Sequence, residues 1–374
     1  MSKKIGILGG GQLGRMFLQT AYDYPFEYAV LDPAPDAPCQ SMTSHFVIGD
    51  FADYDAVIAF GQSCDVIGIE IEHVNTAALA ALKAQGKTVI PHPEALTIIK
   101  DKGLQKAFYT EHGIKTPPYY LIDDASGIDV DKMPPPFVQK LRQGGYDGKG
   151  VQLIQTTADL ALLWDAPSVI EAFTEIDKEI AVMVIKDQQG KMAVYPAVEM
   201  VFDPDLNLVD YLFAPASLSE KQLETANSLA QSVVQAFDCP GVFAVELFID
   251  TAGTVWVNET APRVHNSGHH TIEAADCSQF SQMLRVLAGL PVGSSNLRES
   301  GAMINLIGAP GYEGEAVIEG LAQLSEFPNT YLHWYGKSMT KPGRKMGHIT
   351  VLGEQTQVAS IIEKIKATVR VISR

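Results

Sequence analysis

The chain has 374 residues, of which 46% are hydrophobic and 19% are charged, and its formal net charge is −16. This length and composition indicate two or three folded domains and exclude global disorder. So acidic a surface repels nucleic acid, which argues against a protein that binds polyanions. Small phosphorylated ligands stay possible, because salt screens the bulk charge and a few local cations suffice to hold a phosphate.

Neither a membrane segment nor an export signal is indicated. The longest apolar runs, such as Val242 to Ile249, are far shorter than the roughly 20 residues of a membrane-spanning helix. Met1 to Lys4 leads directly into a strand-like run, without the apolar stretch of a signal peptide, so we expect a cytoplasmic protein with no membrane partner.

The cysteines indicate no cofactor. They are too widely spaced in the sequence for a zinc knuckle or a CxxC redox pair. We therefore expect four reduced, buried thiols, at Cys39, Cys64, Cys239 and Cys277.

The first hundred residues alternate strand and helix patterns. Apolar runs at 5–8, 28–31, 65–69 and 88–91 predict buried parallel strands, and Gln12 to Tyr22 predicts the first helix between them. This order is typical of a doubly wound α/β sheet.

The loop after the first strand has the spacing GxGxxG, formed by Gly9, Gly11 and Gly14. Asp32 ends the next strand, 18 residues after Gly14. Together they match a dinucleotide-binding fingerprint, in which backbone N–H groups and a helix N-terminus face an anion. A tight strand-to-helix turn that needs glycine only for packing is the structural alternative.

A second glycine-rich loop, Gly144 to Gly150, lies between predicted strands at 137–141 and 151–154. Such a hairpin, with free N–H groups and a lysine, is able to close over a triphosphate. Lys140 precedes it, and Lys102 begins a predicted helix that extends to His112. Two separate lysines and a glycine lid favour a nucleotide clamped between two domains, although a mobile surface hairpin is the alternative.

Residues 171–174 follow the strand-like pair Val169-Ile170, where backbone groups are able to bond an adenine edge and Glu179 is able to accept from ribose hydroxyls. Taken alone, Glu171 and Glu179 are typical of solvated surface charges.

Two carboxylates occupy strand positions later in the chain. Glu246 lies within an apolar strand, where a carboxylate is costly unless it binds a cation or strong donors. Asn258 and Glu259 end the next strand, 13 residues on, so the two glutamates are able to face one another. This all-oxygen set suits Mg²⁺ that also contacts ATP phosphates, and a buried glutamate held by hydrogen bonds is the alternative.

Donor groups are concentrated in two later segments. Residues 261–269 carry Arg263, whose guanidinium is able to stabilise a transferring phosphoryl group, and two imidazoles. Glycine-rich turns at 335–337 and 342–348 form a basic cluster that suits the phosphate of a second substrate. A satisfied turn histidine and a solvated basic loop are the respective alternatives.

These motifs together resemble the ATP-grasp superfamily and, within it, the N5-carboxyaminoimidazole ribonucleotide synthetases of purine biosynthesis. The resemblance rests on GGGQLGRM, EIEHV, GGYDGKG, NETAPRVHNSGHH and PGRKMGHI, which occur in the expected order between residues 9 and 349. It implies an α/β ATP-grasp fold with a Rossmann-like preATP-grasp sheet, a small lid domain and a C-terminal α+β catalytic domain. We place the boundaries at 1–101, 102–176 and 177–374.

The resemblance also implies the reaction and its site. ATP and bicarbonate would give carboxyphosphate, which would carboxylate 5-aminoimidazole ribonucleotide in a homodimeric enzyme that takes Mg²⁺. ATP-binding residues would be Lys102, Lys140, Gly145, Tyr146, Asp147, Gly148, Lys149, Gly150, Val151, Glu171, Ala172, Phe173, Thr174, Glu179, Asn258 and Glu259. Mg²⁺ would be held by Glu246 and Glu259.

The second substrate and the carboxyphosphate would occupy a neighbouring set. Residues assigned to catalysis are Arg263, His265, Asn266, Asp147 and Tyr146. Those assigned to substrate binding are Gly11, Gln12, Leu13, Glu70, Ser267, Lys337 and Arg344.

The chain departs from the family pattern at Lys102, where many members have arginine, and at Phe202, where many have histidine. Three alternatives to the carboxylating ligase stay open: an ATP-grasp ligase with another acceptor, a nicotinamide-dependent oxidoreductase based on the first glycine loop, and an inactive nucleotide-binding module.

Overall fold

The N-terminal segment forms a parallel sheet flanked by helices. In a computed structural model of the chain, which describes residues 2–145, 149–204 and 206–374, the strand order is β3-β2-β1-β4-β5. The elements are β1 (Lys4–Leu8), α1 (Gln12–Ala21), β2 (Glu27–Asp32), β3 (His45–Ile48), α2 (Tyr54–Gln62), β4 (Val66–Ile69), α3 (Thr76–Ala84), β5 (Thr88–Val89) and α4 (Pro93–Ile99).

A helix and a small antiparallel sheet follow. Asp101 caps α5 (Lys102–Glu111) by accepting from the N–H groups of Gly103 and Leu104 at 2.8 and 3.1 Å. The sheet has the order β6-β9-β7-β8. Its strands are β6 (Tyr119–Ile122), β7 (Phe137–Leu141), β8 (Val151–Ile154) and β9 (Ser168–Ala172).

A large antiparallel sheet forms the rest of the catalytic region. Its order is β15-β14-β10-β12-β13-β16-β20-β18, with β11 on β10, while β19-β17-β21 is a separate small sheet. The elements are β10 (Ile176–Lys186), β11 (Met192–Val194), β12 (Val198–Asp203), β13 (Leu208–Ala214), α6 (Glu220–Phe237), β14 (Gly241–Asp250), β15 (Val255–Ala261), α7 (Thr271–Ala274), α8 (Gln279–Ala288), β16 (Gly301–Ile307), β17 (Gly314–Glu319), α9 (Leu321–Leu324), β18 (Thr330–Trp334), β19 (Met339–Thr340), β20 (Lys345–Leu352), α10 (Gln355–Thr368) and β21 (Arg370–Ser373).

Alternation along β10 places its apolar side chains in two cores. Ile180, Val182 and Val184 pack against α6 on one face of the sheet. Met183 and Ile185 face the opposite core, which α8 and α1 share. The helix α1 therefore packs on α8, and the N-terminal sheet is joined to the large sheet through an apolar layer.

The strands and helices predicted from the sequence are present, with ends shifted by a few residues. All four cysteines are free thiols, but Cys277 is half-buried rather than buried. None of the helices in the described part of the chain has the length and apolar character that a bilayer crossing requires.

Candidate active site

Two carboxylates face each other on adjacent strands at the edge of the large sheet. Glu246 of β14 is the register partner of Glu259 of β15, so both side chains lie on one face. Leu247 pairs with Val257 rather than with residue 258, which makes Asn258 the extra residue of a β-bulge. The predicted juxtaposition of the two glutamates is therefore present, and the bulge lies beside it.

The two glutamates have opposite electrostatic surroundings. Burial raises the pKa of Glu246, and the negative charges of Glu259 and Glu179 raise it further. Lys102 forms an ion pair with Glu259 and lowers the pKa of that carboxyl. On the other side, Nε2 of His265 lies 3.4 Å from Oε1 of Glu246.

This donor set fits a divalent cation. Two close carboxylates, one of them poorly compensated, are stabilised by a positive ion between them. Within the described residues, no three His, Cys, Asp or Glu side chains are arranged to hold a metal. These two glutamates could hold Mg²⁺, which takes one or two carboxylates and completes its shell with water and substrate phosphates.

A network of lysines joins the small sheet to the carboxylate pair. Lys140 of β7 donates from Nζ to Oε1 of Glu171 at 2.6 Å and to Oδ1 of Asn258 at 3.0 Å. Lys106 forms a second ion pair with Glu171. Glu171 is only 3% exposed, so its interpretation as a solvated surface charge was wrong: it is a buried anion held by two cations.

Burial and paired charges shift these groups in opposite directions. Burial lowers the pKa of Lys106 to about 8. Although burial raises the pKa of Glu171, the charges of Lys140 and Lys106 outweigh it and leave that pKa below its usual value. Glu179 is half-buried, and burial raises its pKa.

The predicted lid lies next to this network. The N–H of Leu141 donates to the carbonyl of Gly150 at 2.8 Å, which closes the base of the hairpin, and Gly150 has φ 76°. Lys149 and Val151 are exposed and Gly145 is half-buried, whereas Tyr146, Asp147 and Gly148 lie outside the described residues. After Glu171, Ala172 and Thr174 are half-buried and Phe173 is 44% exposed.

The first glycine loop is occupied by carboxylates of the chain itself. Oε1 of Glu70 accepts the N–H of Gly11 at 2.5 Å, and Oε2 accepts the N–H of Gly14. Asp32 accepts from the N–H groups of Gly10 and Ala34 at 2.7 and 2.8 Å. Since these carboxylates already bind the donors that a dinucleotide would need, the structure argues against the nicotinamide hypothesis.

The neighbouring residues of the loop differ in exposure. Gln12 is half-buried, whereas Leu13 is 9% exposed and belongs to the apolar core. The side chain of Leu13 therefore packs in the core under the loop and offers no polar contact.

The arginine–histidine segment connects Glu70's loop with the carboxylate pair. Nε of Arg263 lies 2.8 Å from Oε1 of Glu72, two residues beyond Glu70. The N–H of Ser267 donates to Nδ1 of His265 at 3.3 Å, and Nε2 of the same imidazole faces Glu246.

Two predicted polar residues of this segment are engaged within the protein. Asn266 and Asn305 exchange two amide hydrogen bonds, of 2.8 and 3.0 Å. Ser267 is 1% exposed, and its Oγ lies 2.9 Å from Nδ1 of His265. Both side chains therefore hold the segment in place.

The basic turns near the C-terminus approach the first glycine loop. Lys337 donates from Nζ to the carbonyl of Lys345 at 2.7 Å, and Arg344 donates from Nη1 to the carbonyl of Met339 at 2.8 Å. A methyl group on Gly336 would lie 3.1 Å from Nη1 of Arg15 in α1. The turn at Gly336 therefore lies beside α1, whose N-terminus carries the first glycine loop.

Comparisons with known proteins identify the family of the chain. Family models match residues 1–100 ("Ribonucleotide synthetase preATP-grasp domain"), 107–280 ("ATP-grasp domain") and 301–361 ("Phosphoribosylaminoimidazole carboxylase C-terminal domain"). The N5-carboxyaminoimidazole ribonucleotide synthase of Synechococcus elongatus is 36% identical, over 93% of this chain and 89% of that protein.

The chain belongs to the N5-carboxyaminoimidazole ribonucleotide synthase family.

Solved structures of this family have the same fold. The synthetase from Thermotoga maritima is 38% identical, with a TM-score of 0.92 and full coverage of both chains. A synthase from Aspergillus clavatus, in complex with ADP and 5-aminoimidazole ribonucleotide, is 32% identical, with a TM-score of 0.89 and 98% coverage of both chains. The predicted ATP-grasp fold and family are confirmed.

Some relatives of the synthase family are longer proteins. The chloroplastic phosphoribosylaminoimidazole carboxylase of Vigna aconitifolia is 36% identical over 93% of this chain, which spans 64% of that protein's length.

Several residues of this synthase site were not predicted from the sequence. Lys106 is four residues after Lys102 on one face of α5, a spacing that was available as a signal. Glu72 alternates with Glu70 in Glu-Ile-Glu, which was a weaker signal. Asn305 gave none, because only the fold brings it to Asn266.

Proposed function

We propose that the chain carboxylates 5-aminoimidazole ribonucleotide with bicarbonate and ATP, giving N5-carboxyaminoimidazole ribonucleotide, ADP and phosphate. The observation that carries the proposal is the Glu246–Glu259 pair, with lysines on one side and Arg263 and His265 on the other. One side suits a triphosphate and the other suits a second anion, so a phosphoryl group is able to pass between them.

The first step is phosphoryl transfer. An oxygen of bicarbonate attacks the γ-phosphorus of ATP, the bond to the β–γ bridging oxygen breaks, and ADP leaves with carboxyphosphate formed. Lys102 and Lys140 hold the phosphates, and Arg263 stabilises the charge on the transferring group. When bound by Glu246 and Glu259, Mg²⁺ supplies charge neutralisation of the phosphate oxygens.

The second step forms the carbon–nitrogen bond. The exocyclic amine attacks the carboxyl carbon, phosphate departs, and the proton lost from nitrogen leaves with that phosphate. Because Nε2 of His265 faces the carboxylate pair, we assign His265 to contact the carboxyphosphate anion beside it. Closure of the glycine hairpin over this site would exclude water, which destroys carboxyphosphate.

The remaining assignments follow the clusters described above. Nucleotide contacts are assigned to the lid and to the segment around Glu171, with Tyr146, Asp147 and Gly148 retained from the sequence alone. Ribonucleotide contacts are assigned to the glycine loop with Glu70, and to Lys337 and Arg344. Asn266 and Ser267 are assigned the role of fixing Arg263 and His265.

A coupled ADP-release assay tests this function. We expect ADP formation only when bicarbonate and 5-aminoimidazole ribonucleotide are both present, and release of one phosphate per ADP. ADP formation with a different amine and none with the ribonucleotide would indicate another ligase, and NADH binding without ATP binding would restore the oxidoreductase hypothesis. The family likeness further leads us to expect a cytoplasmic homodimer, which equilibrium sedimentation and cell fractionation test.

A further inference from the structure

The outer edge of β15 is covered by side chains and backbone of the segment 105–116. β15 is the edge strand of the large sheet, so its outward N–H and C=O groups have no neighbouring strand. The N–H of Val257 donates to the carbonyl of Lys115 at 2.9 Å, and Oγ1 of Thr116 donates to the carbonyl of Val257 at 2.8 Å. The position before the bulge is thereby fixed from outside the sheet.

The position after the bulge is fixed by α5. Oε1 of Gln105 accepts the N–H of Thr260 at 3.0 Å and the hydroxyl of Tyr109 at 2.8 Å. The oxygen of Tyr109 lies 2.7 Å from Oγ1 of Thr260. Because the single tyrosine proton goes to Gln105, Thr260 donates to Tyr109, and one arrangement of protons satisfies the triad.

The triad of Gln105, Tyr109 and Thr260 is buried. Gln105 is 3% exposed, Tyr109 0% and Thr260 3%, so no water replaces a hydrogen bond that is removed. Asn258 and Glu259 lie between the two fixed positions, and their side chains reach Lys140 and Lys102. A bulge leaves its extra residue unpaired within the ladder, so its side-chain direction depends on such external contacts.

We propose that Gln105, Tyr109, Thr116 and Thr260, together the edge brace, are positioning residues that aim Asn258 and Glu259 at the metal–nucleotide complex. The proposal rests on the metal role assigned to Glu259 above. It extends that role to residues that touch neither substrate nor metal, in the way that outer-shell partners orient metal ligands.

The test is binding of Mn²⁺ with ADP, measured from the free Mn²⁺ signal in electron paramagnetic resonance, beside the melting temperature of each variant. Tyr109→Phe and Thr260→Val each remove one hydroxyl from the triad at nearly constant volume. Thr260→Ser keeps the hydroxyl. Tyr195→Phe is the matched control, since Tyr195 is 1% exposed and its hydroxyl donates to the carbonyl of Cys277 at 2.5 Å, away from this edge.

We expect Tyr109→Phe and Thr260→Val to weaken Mn²⁺–ADP binding by about tenfold, while Thr260→Ser and Tyr195→Phe stay near wild type. If Tyr109→Phe and Thr260→Val lower the melting temperature as Tyr195→Phe does but bind Mn²⁺–ADP normally, the brace is structural only and the proposal is overturned. Glu259→Gln separates the two claims: normal Mn²⁺–ADP binding in this variant removes the metal assignment itself, and the brace with it.

Discussion

Glu70 accepts the backbone N–H of Gly11 with 2.5 Å between oxygen and nitrogen, at the N-terminus of α1. In dinucleotide-binding proteins this position holds a phosphate. Here a carboxylate from the loop after β4 occupies it, so the glycines serve the close approach of Glu70. The loop has the dinucleotide spacing while its donors are used within the protein.

Gly11→Ala should therefore damage the ribonucleotide site selectively. Gly11 has φ −76°, which any residue adopts, but a Cβ atom would lie 2.7 Å from Oε1 of Glu70 and displace it. With charge-assisted hydrogen bonds worth about 1.5–3 kcal/mol, we expect the KM for 5-aminoimidazole ribonucleotide to rise roughly tenfold or more. Steady-state kinetics measure this, and ADP affinity should not change.

Gly61→Ala is the control for Gly11→Ala, because its Cβ would lie 2.4 Å from Cδ1 of Leu82 in a core remote from the loop. That variant should lose stability without a change in KM. If the KM for the ribonucleotide is unchanged in Gly11→Ala, Glu70 does not contribute to substrate binding.

Glu246→Gln and Glu259→Gln should have opposite effects on stability, although we expect both substitutions to abolish turnover. Burial and the charge of Glu259 raise the pKa of Glu246, so the ionised carboxylate destabilises the folded state. Glu246→Gln replaces it with a neutral amide, and the melting temperature should rise by about 2–4 °C for each kcal/mol added to the free energy of unfolding. Glu259→Gln removes the partner of Lys102, and because that pair is partly exposed, the loss should be small. Calorimetry measures both shifts, and equal shifts of one sign would contradict the electrostatic account.

Local patterns were sufficient for most of the fold. The continuous apolar run of β14 is typical of a buried strand, and the capping box of Ser219 and Gln222 marks the start of α6. The paired glutamates were also predictable, because one hairpin joins their strands. In each case the residues that give the signal are close together in the chain.

The contacts that the sequence did not indicate join residues that are far apart in the chain. Glu70 meets Gly11 from 59 residues away, and Lys140 meets Asn258 from 118 residues away. The bulge at Asn258 depends on the register of two strands and on the edge contacts of α5, neither of which leaves a periodic signal. A buried charge such as Glu171 looks like a surface charge until both its lysines are placed beside it.

Lys106→Met should change how stability depends on pH. Burial lowers the pKa of Lys106 from 10.5 to about 8, so between these values the unfolded chain binds more protons than the folded one. Stability contributed by this group therefore rises with pH across that window, by about 3 kcal/mol at most. Denaturant unfolding across the window should show that the free energy of unfolding of wild type, minus that of the variant, increases with pH. A difference that does not change with pH would contradict the shifted pKa.

Arg344→Ala should weaken binding of the ribonucleotide while leaving the nucleotide site intact. Arg344 is held by the carbonyl of Met339 in a turn, and the neighbouring Gly336 lies against Arg15 beside the glycine loop. Loss of a charged contact to the substrate phosphate should raise its KM about 10- to 150-fold with little change in kcat.

Arg370→Ala is the matched control, because Arg370 lies in β21 and is 3.9 Å from Glu319. Isothermal titration with ADP should give wild-type affinity for both variants, and a parallel loss of ADP binding in Arg344→Ala would place this arginine in the nucleotide site instead.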